Sequence, residues 1–307
     1  MTPRDVYTQP DAPDPVLESE HVLELVRRHV PSASRVTGVD ESGGEARTYL
    51  CDDDVVLKVQ RPHQLRPRTS LEKESFILRA LERDSSISVP RSLGYGRDGS
   101  VEYLVLSRVP GVSLRDASLD APSRERVLLA LGAMLRRIHD VDQAALSNSP
   151  LIPGDRHPDD LATRLSETFE DLRVELGALS GVRGVIDLDL VKERCLAALA
   201  SEGPIVTLHS NPGAEHCFVH PTTGELSGLI DFGDAYRSHP ALDIRSRHSL
   251  ADSRTMLAGY VSSGPLPEGF TAVWRTGAIL SELRLLSRGA RSPLDTLSTI
   301  TDVFEEF

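Results

Sequence analysis

Two short segments in the last third of the chain carry side chains suited to metal binding and catalysis. The first, residues 229–234 (LIDFGD), is an apolar run that ends in Asp231 and a glycine. A carboxylate at a strand end can bind a divalent cation, because hard cations prefer oxygen ligands. The second, residues 209–217 (HSNPGAEHC), follows the apolar run 205–208, where polar groups often serve catalysis. Taken alone, each segment also fits a polar turn.

A third chemical feature is a lysine inside an apolar strand. Only three of the 34 basic residues are lysines, and Lys58 lies within the run VVLKV. Before it, residues 42–44 (SGG) form a turn whose backbone amides could approach an anion closely. After it, residues 71–82 have helical spacing and carry Glu72 and Glu74. This order places a cation, a carboxylate and a glycine turn in one region of the chain.

In this order the segments resemble the aminoglycoside phosphotransferase family, a choline-kinase-like group with the protein-kinase fold. The catalytic stretch of that family reads His-Gly-Asp, four residues, Asn and, after a hairpin, Ile-Asp-Phe/Trp-Gly/Glu. Residues 208–235 align with it without a gap. The resemblance extends over most of the chain through the glycine turn, the lysine strand, the glutamate helix, the Pro-Gly pair at 110–111 and the segment 239–243 (HPALD).

The resemblance implies a fold and a set of boundaries. We expect an α+β, bilobal protein-kinase-like fold with a β-rich N-lobe and a mainly helical C-lobe. The expected parts are a flexible N-terminal segment at 1–19, a nucleotide-binding N-lobe at 20–106, a hinge at 107–111, and a C-lobe with catalytic loop and acceptor site at 112–307. Within the N-lobe, the Gly- and Pro-containing residues 90–99 are predicted to form a turn-rich connector.

The resemblance also implies a role for each matching residue. Lys58 would hold the nucleotide phosphates, Glu74 would orient that lysine, and Glu72 is the weaker match for this role. Asp231 would bind the Mg²⁺ that bridges the phosphates. The expected nucleotide-binding residues are Gly43, Gly44, Lys58, Glu74, Ser107 and Val109. The expected cofactors are ATP or GTP with Mg²⁺, or with Mn²⁺ in its place.

Three positions depart from the family pattern. The catalytic Asp of the family is Asn211 here, its second metal-binding Asn is His216, and the glycine between His and Asp is Ser210. Asn211 cannot accept a proton, but its amide oxygen can orient a hydroxyl group. Imidazole suits Mn²⁺ or Zn²⁺ better than Mg²⁺, so His216 is a candidate ligand of an altered second metal site.

The departures leave three interpretations open. An active phosphotransferase would phosphorylate a small-molecule hydroxyl, as in antibiotic or natural-product metabolism, with Asn211 assisted by a relocated base: His216, Glu215 or Asp234. A degenerate nucleotide-binding pseudokinase would instead scaffold or regulate a partner enzyme, or use the site for a phosphorylated or peptide substrate. An engineered Asn211 would not explain the accompanying Ser210 and His216.

Composition argues against several other classes of protein. With 34 basic and 46 acidic residues, the net charge of −12 disfavours nucleic-acid binding, which needs a basic face. No apolar run approaches the roughly 18 residues of a membrane helix. The first 15 residues lack the apolar core of a signal peptide, and the three cysteines show neither metal nor disulfide spacing. We therefore expect a cytoplasmic protein without a membrane or nucleic-acid partner.

Local charge indicates what the acceptor or partner could be. Residues 150–190 contain nine acidic and four basic side chains, which suits a cationic small-molecule acceptor or simply a solvated helix face. Residues 58–97 reverse the balance, with nine basic and four acidic side chains. That region could attract nucleotide phosphate, bind an acidic protein or peptide partner, or be an ordinary basic surface.

Overall fold

The computed structural model describes residues 7–179, 181–182, 184–199, 203–244 and 249–305. The strands are β1 (Val36–Asp40), β2 (Ala46–Cys51), β3 (Val55–Gln60), β4 (Ser92–Asp98), β5 (Val101–Ser107), β6 (Val112–Ser113), β7 (Val206–Leu208), β8 (Cys217–Val219), β9 (Leu226–Leu229) and β10 (Tyr236–Ser238). The α-helices are α1 (Ser19–Arg27), α2 (Leu71–Leu81), α3 (Ala121–Asp140), α4 (Ala144–Ser147), α5 (Pro158–Gly177), α6 (Leu188–Ala197), α7 (Leu250–Val261), α8 (Phe270–Ser287) and α9 (Pro293–Glu305). Of the segment predicted to be flexible, residues 1–6 lie outside the described part of the chain.

The chain divides into two compact units. The sheet unit comprises Met1–Leu119, Asn148–Ile152 and Ala214–Ala235, and the helical unit comprises Asp120–Ser147, Pro153–Gly213 and Tyr236–Phe307. The Asp231 segment therefore groups with the N-terminal sheet, whereas the Asn211 segment groups with the helices. The lobe and hinge boundaries predicted from the sequence stay predictions.

The main sheet of the sheet unit has five antiparallel strands in the order β1-β2-β3-β5-β4. One of its faces packs with α1 in an apolar cluster that contains Leu25, Leu57 and Val59. Because side chains alternate along a strand, Lys58 points to the opposite face from Leu57 and Val59. The lysine thus lies on the face away from α1.

Helix α2 packs against β4 and β5. It begins after Ser70, whose side chain accepts a hydrogen bond from the Lys73 backbone amide, an arrangement that satisfies one of the unpaired amides at a helix start. Its residues Ile77, Leu78 and Leu81 are buried. The helix predicted at residues 71–82 is confirmed, and it carries Glu74 beneath the sheet.

The predicted connector at residues 90–99 is wrong, because this segment forms strand β4. Its glycines are required by close packing rather than by a turn. A Cβ on Gly94 would lie 2.0 Å from the His29 ring, and one on Gly96 would lie 2.7 Å from the Tyr103 hydroxyl. Glycine here admits the neighbouring rings to the edge of the sheet.

A second, three-stranded sheet in the sheet unit has the order β6-β8-β9. The antiparallel pairing of β8 with β9 sets Cys217 opposite Leu229. Just beyond this pair, the Ile230 amide donates to the His216 carbonyl at 3.0 Å. The hairpin therefore brings His216 beside the residue that precedes Asp231.

The helical unit is organised around the close crossing of α3 and α7. A Cβ on Gly132 would lie 1.9 Å from the Met256 carbonyl oxygen, and one on Gly259 would lie 2.0 Å from the Leu129 carbonyl oxygen. Side chains at either glycine would force the two helices apart. Strands β7 and β10 form a short antiparallel pair in the same unit.

Two properties of the whole chain bear on its class. None of the helices in the described residues combines the length and the apolar composition needed to cross a membrane. Cys51, Cys195 and Cys217 are buried and are not joined by disulfides. Strands and helices together confirm the predicted α+β class.

Candidate phosphotransfer site

Lys58 bridges two carboxylates in the sheet unit. Its ammonium donates to Glu74 Oε2 at 2.7 Å and to Asp231 Oδ1 at 2.8 Å. The Glu74 side chain is fully buried, whereas 41% of the Asp231 side chain is exposed. Glu74, and not Glu72, contacts the lysine. The Lys58 ammonium is thus held by the buried carboxylate of Glu74 and also contacts the partly exposed carboxylate of Asp231.

The charges of this group follow from its burial. Burial alone would lower the pKa of Lys58, but Asp231 and Glu74 outweigh it, and the pKa lies above its ordinary value. Burial raises the pKa of the Glu74 carboxyl, and the Lys58 ammonium offsets that rise only in part. Glu74 Oε1 is buried without a hydrogen-bond partner. Lys58 is therefore a permanent positive charge, the property needed to hold an anionic phosphate.

Asp231 occupies an unusual backbone conformation. Its φ is 72°, in the left-handed region that non-glycine residues rarely adopt. Such a conformation persists only where the surroundings determine it. Here the β8–β9 hairpin fixes the backbone that leads into Asp231, and Lys58 binds its carboxylate. The carboxylate is consequently presented at the end of the β9 segment with part of its surface open to solvent.

His216 lies beside Asp231, with Nε2 3.4 Å from Oδ2. Within the described ranges there is no group of three or more His, Cys, Asp or Glu side chains placed to hold a metal ion. Mg²⁺ is commonly held by one or two carboxylates together with phosphate oxygens and water. Asp231 fits Mg²⁺ shared with a nucleotide, whereas the His216 imidazole fits Mn²⁺ or Zn²⁺ better.

Asp234 belongs to a neighbouring ion-pair network. It accepts a hydrogen bond from the Thr69 hydroxyl on one oxygen and from Arg66 at 3.1 Å on the other. Arg66 also pairs with Glu45, which follows the glycine turn. Both oxygens of Asp234 already bind donors of its own chain, so the geometry gives little support to Asp234 as the relocated base.

The predicted glycine turn lies between β1 and β2. A Cβ on Gly43 would lie 3.3 Å from the Ala46 carbonyl oxygen, and one on Gly44 would lie 3.4 Å from Gln64 Oε1. Both distances are tight but not prohibitive. The turn is compact, and its backbone borders the Glu45–Arg66 pair.

The predicted nucleotide-binding residues Ser107 and Val109 lie at the end of β5 and just beyond it. The Ser107 amide donates to the Arg91 carbonyl at 3.0 Å, and the Ser107 hydroxyl accepts from the Arg91 amide at 2.8 Å. The Arg108 amide donates to the Asp54 carbonyl, and Val109 is buried. These contacts fix the path of the chain from β5 onward.

The Asn211 loop is built in the helical unit around the buried carboxylate of Asp243. Asp243 accepts from the backbone amides of His209 and Ser210 at 2.6 and 2.8 Å, and its Oδ2 lies 3.2 Å from His139 Nε2. Burial alone would raise the pKa of Asp243, but the hydrogen bond and charge of His139 outweigh it and lower the pKa. Asp243 thus stays ionised and orients the loop.

Ser210 and Asn211 show how that loop turns. The φ of Ser210 is 83°, which explains why the family pattern has glycine at this position. The backbone amide of Asn211 donates to His209 Nδ1 at 3.2 Å. The sequence places Asn211 in a polar loop but gives no role to Asp243, although the segment HPALD belongs to the family resemblance.

A second residue that sequence reasoning missed is Lys73. Its side chain is fully buried, and its ammonium reaches the backbone carbonyls of Arg68 and Ala235. The available signal was the rarity of lysine in a chain whose basic residues are almost all arginine. Its position one residue before Glu74 gave no reason to expect burial.

Comparison with solved structures defines the class of fold. The chain is similar to the GDP complex of aminoglycoside 2'-phosphotransferase-IIIa, with a TM-score of 0.62 and 18% identity over 94% of this chain and 98% of that one. It is also similar to the macrolide 2'-phosphotransferase of Brachybacterium faecium, with a TM-score of 0.57 and 19% identity over 92% and 98% of the two chains. The predicted kinase-like fold, with a β-sheet N-terminal region and a helical C-terminal region, is confirmed.

Sequence comparison then gives the family. A model of the phosphotransferase enzyme family matches residues 37–262, and the chain belongs to that family. A relative is the aminoglycoside 3'-phosphotransferase of Streptomyces ribosidificus, 28% identical over 152 residues. That match covers 48% of this chain and 53% of the relative, about half of its length.

Proposed function

We propose that this protein transfers the γ-phosphoryl group of ATP or GTP to a hydroxyl group of a small molecule. The observation that carries the proposal is the Lys58–Glu74–Asp231 arrangement in a member of the phosphotransferase family. Phosphoryl transfer depends on positioning and charge neutralisation more than on covalent chemistry. Lys58 would hold the nucleotide phosphates while Glu74 keeps the lysine in place.

Asp231 would hold Mg²⁺, which supplies positive charge to the phosphate oxygens. The glycine turn at Gly43 and Gly44 would cover the phosphates, and the segment from Ser107 to Val109 would contact the base. These assignments rest on the family pattern. They are supported by the compact turn and by the fixed path of the chain after β5.

Turnover would be slow because Asn211 cannot remove a proton from the acceptor. Loss of a general base typically lowers the rate by about 10²–10⁴. A loose transition state asks less of a base, which favours the lower end of that range. His216 is the candidate substitute base that the geometry favours over Asp234, since the oxygens of Asp234 already bind Thr69 and Arg66.

The acceptor class follows from the relatives and from charge. The relatives named above are aminoglycoside and macrolide phosphotransferases, and a net charge of −12 would attract a cationic aminoglycoside. A dedicated acidic surface at 150–190 has less support. Four of its acids form internal contacts: Asp155, Asp160, Glu170 and Asp187.

A nucleotide-binding pseudokinase is the second candidate. It is favoured by Asn211 and His216, which replace an acid and an amide of the family pattern. In that case the protein would bind nucleotide and regulate a protein or peptide partner without net transfer.

Acceptor-dependent turnover distinguishes the two candidates. Release of ADP or GDP would be followed with Mg²⁺ and a panel of aminoglycosides and macrolides, and the product would be identified by phosphorus NMR. A phosphorylated acceptor supports the transferase. Nucleotide binding without any product, across the panel and with Mn²⁺ as well, would favour the pseudokinase.

A further inference from the structure

We propose that Lys73 is a positioning residue that joins the Asp231 loop to the start of α2, so that the two carboxylates around Lys58 stay together. The inference deepens the proposed function and rests on it. Lys73 lies in the first turn of α2, one residue before Glu74, and its side chain is fully buried. Its ammonium donates to the Arg68 carbonyl at 2.5 Å and to the Ala235 carbonyl at 2.6 Å.

The environment of Lys73 is unusual for a buried charge. Both hydrogen bonds go to backbone carbonyls rather than to a carboxylate, although burying an ammonium group is unfavourable unless strong partners compensate it. An apolar side chain would fill the same space if packing alone were needed. Lysine is therefore explained best by the two carbonyls that it connects, one on each side of the junction.

The Ala235 carbonyl belongs to a closed turn directly after Asp231. The Ala235 amide donates to the Phe232 carbonyl at 3.1 Å, which closes the turn at residues 232–235. The Gly233 carbonyl accepts from the Ser70 amide at 3.2 Å, and the Ala235 carbonyl accepts from Lys73. This turn adjoins Asp231, so its attachment limits how far the Asp231 backbone can move.

The Arg68 carbonyl belongs to the segment that leads into α2. Arg68 precedes Thr69, whose hydroxyl binds Asp234, and Ser70, which caps the N-terminus of the helix. Lys73 therefore links residues 68–70 and residues 232–235 through a single cation. Glu74 follows Lys73 on the same helix and contacts Lys58. The two carboxylates of Lys58 are held together by this connection as well as by the lysine between them.

Loss of the connection should affect metal-dependent nucleotide binding above all. Asp231 is the residue proposed to hold Mg²⁺, and Lys73 acts on it through the backbone without touching nucleotide. If Asp231 becomes mobile, the gain in nucleotide affinity that Mg²⁺ provides should fall. Binding measured in EDTA should change little, because Lys58 and Glu74 remain. If Lys73 had a purely structural role, its loss would weaken nucleotide binding equally with Mg²⁺ and in EDTA.

The test uses the full chain with Lys73→Met, which keeps the apolar stem and removes the donors. Lys192→Met is the matched control, because Lys192 is a partly exposed lysine of α6 that pairs with Glu170. Lys73→Gln, which retains a donor, serves if Lys73→Met does not fold. Hydrogen exchange is measured on the protein without nucleotide, and ATP and GTP affinities are measured with Mg²⁺ and with EDTA.

We expect Lys73→Met to raise exchange about tenfold in peptides covering 68–74 and 231–236, while α3 and α7 exchange as in the wild type. We also expect the affinity ratio between Mg²⁺ and EDTA to fall about tenfold. Exchange unchanged in both peptides, or raised evenly throughout the protein, would overturn the inference. A wild type that binds no nucleotide would refute the proposed function, while the exchange measurement would still decide whether Lys73 joins the two segments.

Discussion

At the scale of single residues, Asn211 is the departure from the family pattern that bears most directly on the proposed catalysis. It stands where the family pattern has an acid, at the end of a loop whose amides are fixed by Asp243. We expect Asn211→Asp to raise the turnover number about 10²-fold with little change in nucleotide affinity, because the new carboxylate supplies a general base to a loop that is already oriented. Steady-state kinetics with each nucleotide checks this.

Asn148→Asp is the matched control, since it adds the same charge at the other asparagine of the chain. If Asn211→Asp turned over nucleotide no faster than Asn148→Asp, a missing base would not be what limits catalysis. The pseudokinase interpretation would then gain.

The burial of Lys73 leads to a separate prediction about how the stability of the protein depends on pH. Burial lowers its pKa from 10.5 to about 8 in the folded protein. Between those two pH values the unfolded chain binds more protons than the folded chain, so the free energy of unfolding should rise with pH. Relative to Lys73→Met, we expect the wild type to gain about 2–3 kcal/mol from pH 8 to pH 10.5. Urea unfolding of both proteins over this range tests it, and parallel curves would contradict it.

Residues that belong to the family pattern were easier to predict than contacts that lie outside it. Lys58, Glu74 and Asp231 were identified from their segments, and the structure brings all three together. The Arg66–Asp234 pair and the Lys73–Ala235 contact join residues more than 160 positions apart. No local pattern specifies such pairs, because they depend on how loops meet after folding.

At the scale of elements, the crossing of α3 and α7 depends on glycine. We expect Gly132→Ala to lower the free energy of unfolding by about 1–3 kcal/mol, because the new methyl group would overlap the Met256 carbonyl oxygen 1.9 Å away. Gly38→Ala is the control, where the methyl group would lie 3.5 Å from Leu50 Cδ1 in ordinary contact. Urea denaturation measures the stability of both variants. Equal unfolding midpoints would contradict the claim that the contact between α3 and α7 requires glycine at position 132.

The elements also show where sequence patterns fail. Helix α2 was predicted from the helical spacing of its apolar residues, and strand β3 from a short, almost continuous apolar run. Strand β4 was not, because Gly94 and Gly96 are typical of turns, and their reason here is the proximity of His29 and Tyr103. Strand β8 is only three residues long and was hidden in a polar stretch.

At the scale of the whole molecule, the similarity to the phosphotransferase family extends over most of the chain. The family model covers residues 37–262, and the similar solved structures cover more than nine-tenths of the chain. The catalytic loop departs from the pattern while the lysine, its glutamate and the aspartate of the hairpin remain. This combination preserves the residues proposed to bind nucleotide and alters the residue that would activate the acceptor.

We propose above that Lys58 and Asp231 form a working site for a metal–nucleotide complex. Calorimetric titration of ATP and GTP, with Mg²⁺ and then Mn²⁺, tests it most directly on the wild type and on Lys58→Ala and Asp231→Ala. Lys192→Ala is the control for a lysine outside the site. We expect metal-dependent binding that both site variants lose and the control retains. Absence of binding under every condition, or equal binding by all four proteins, would contradict it.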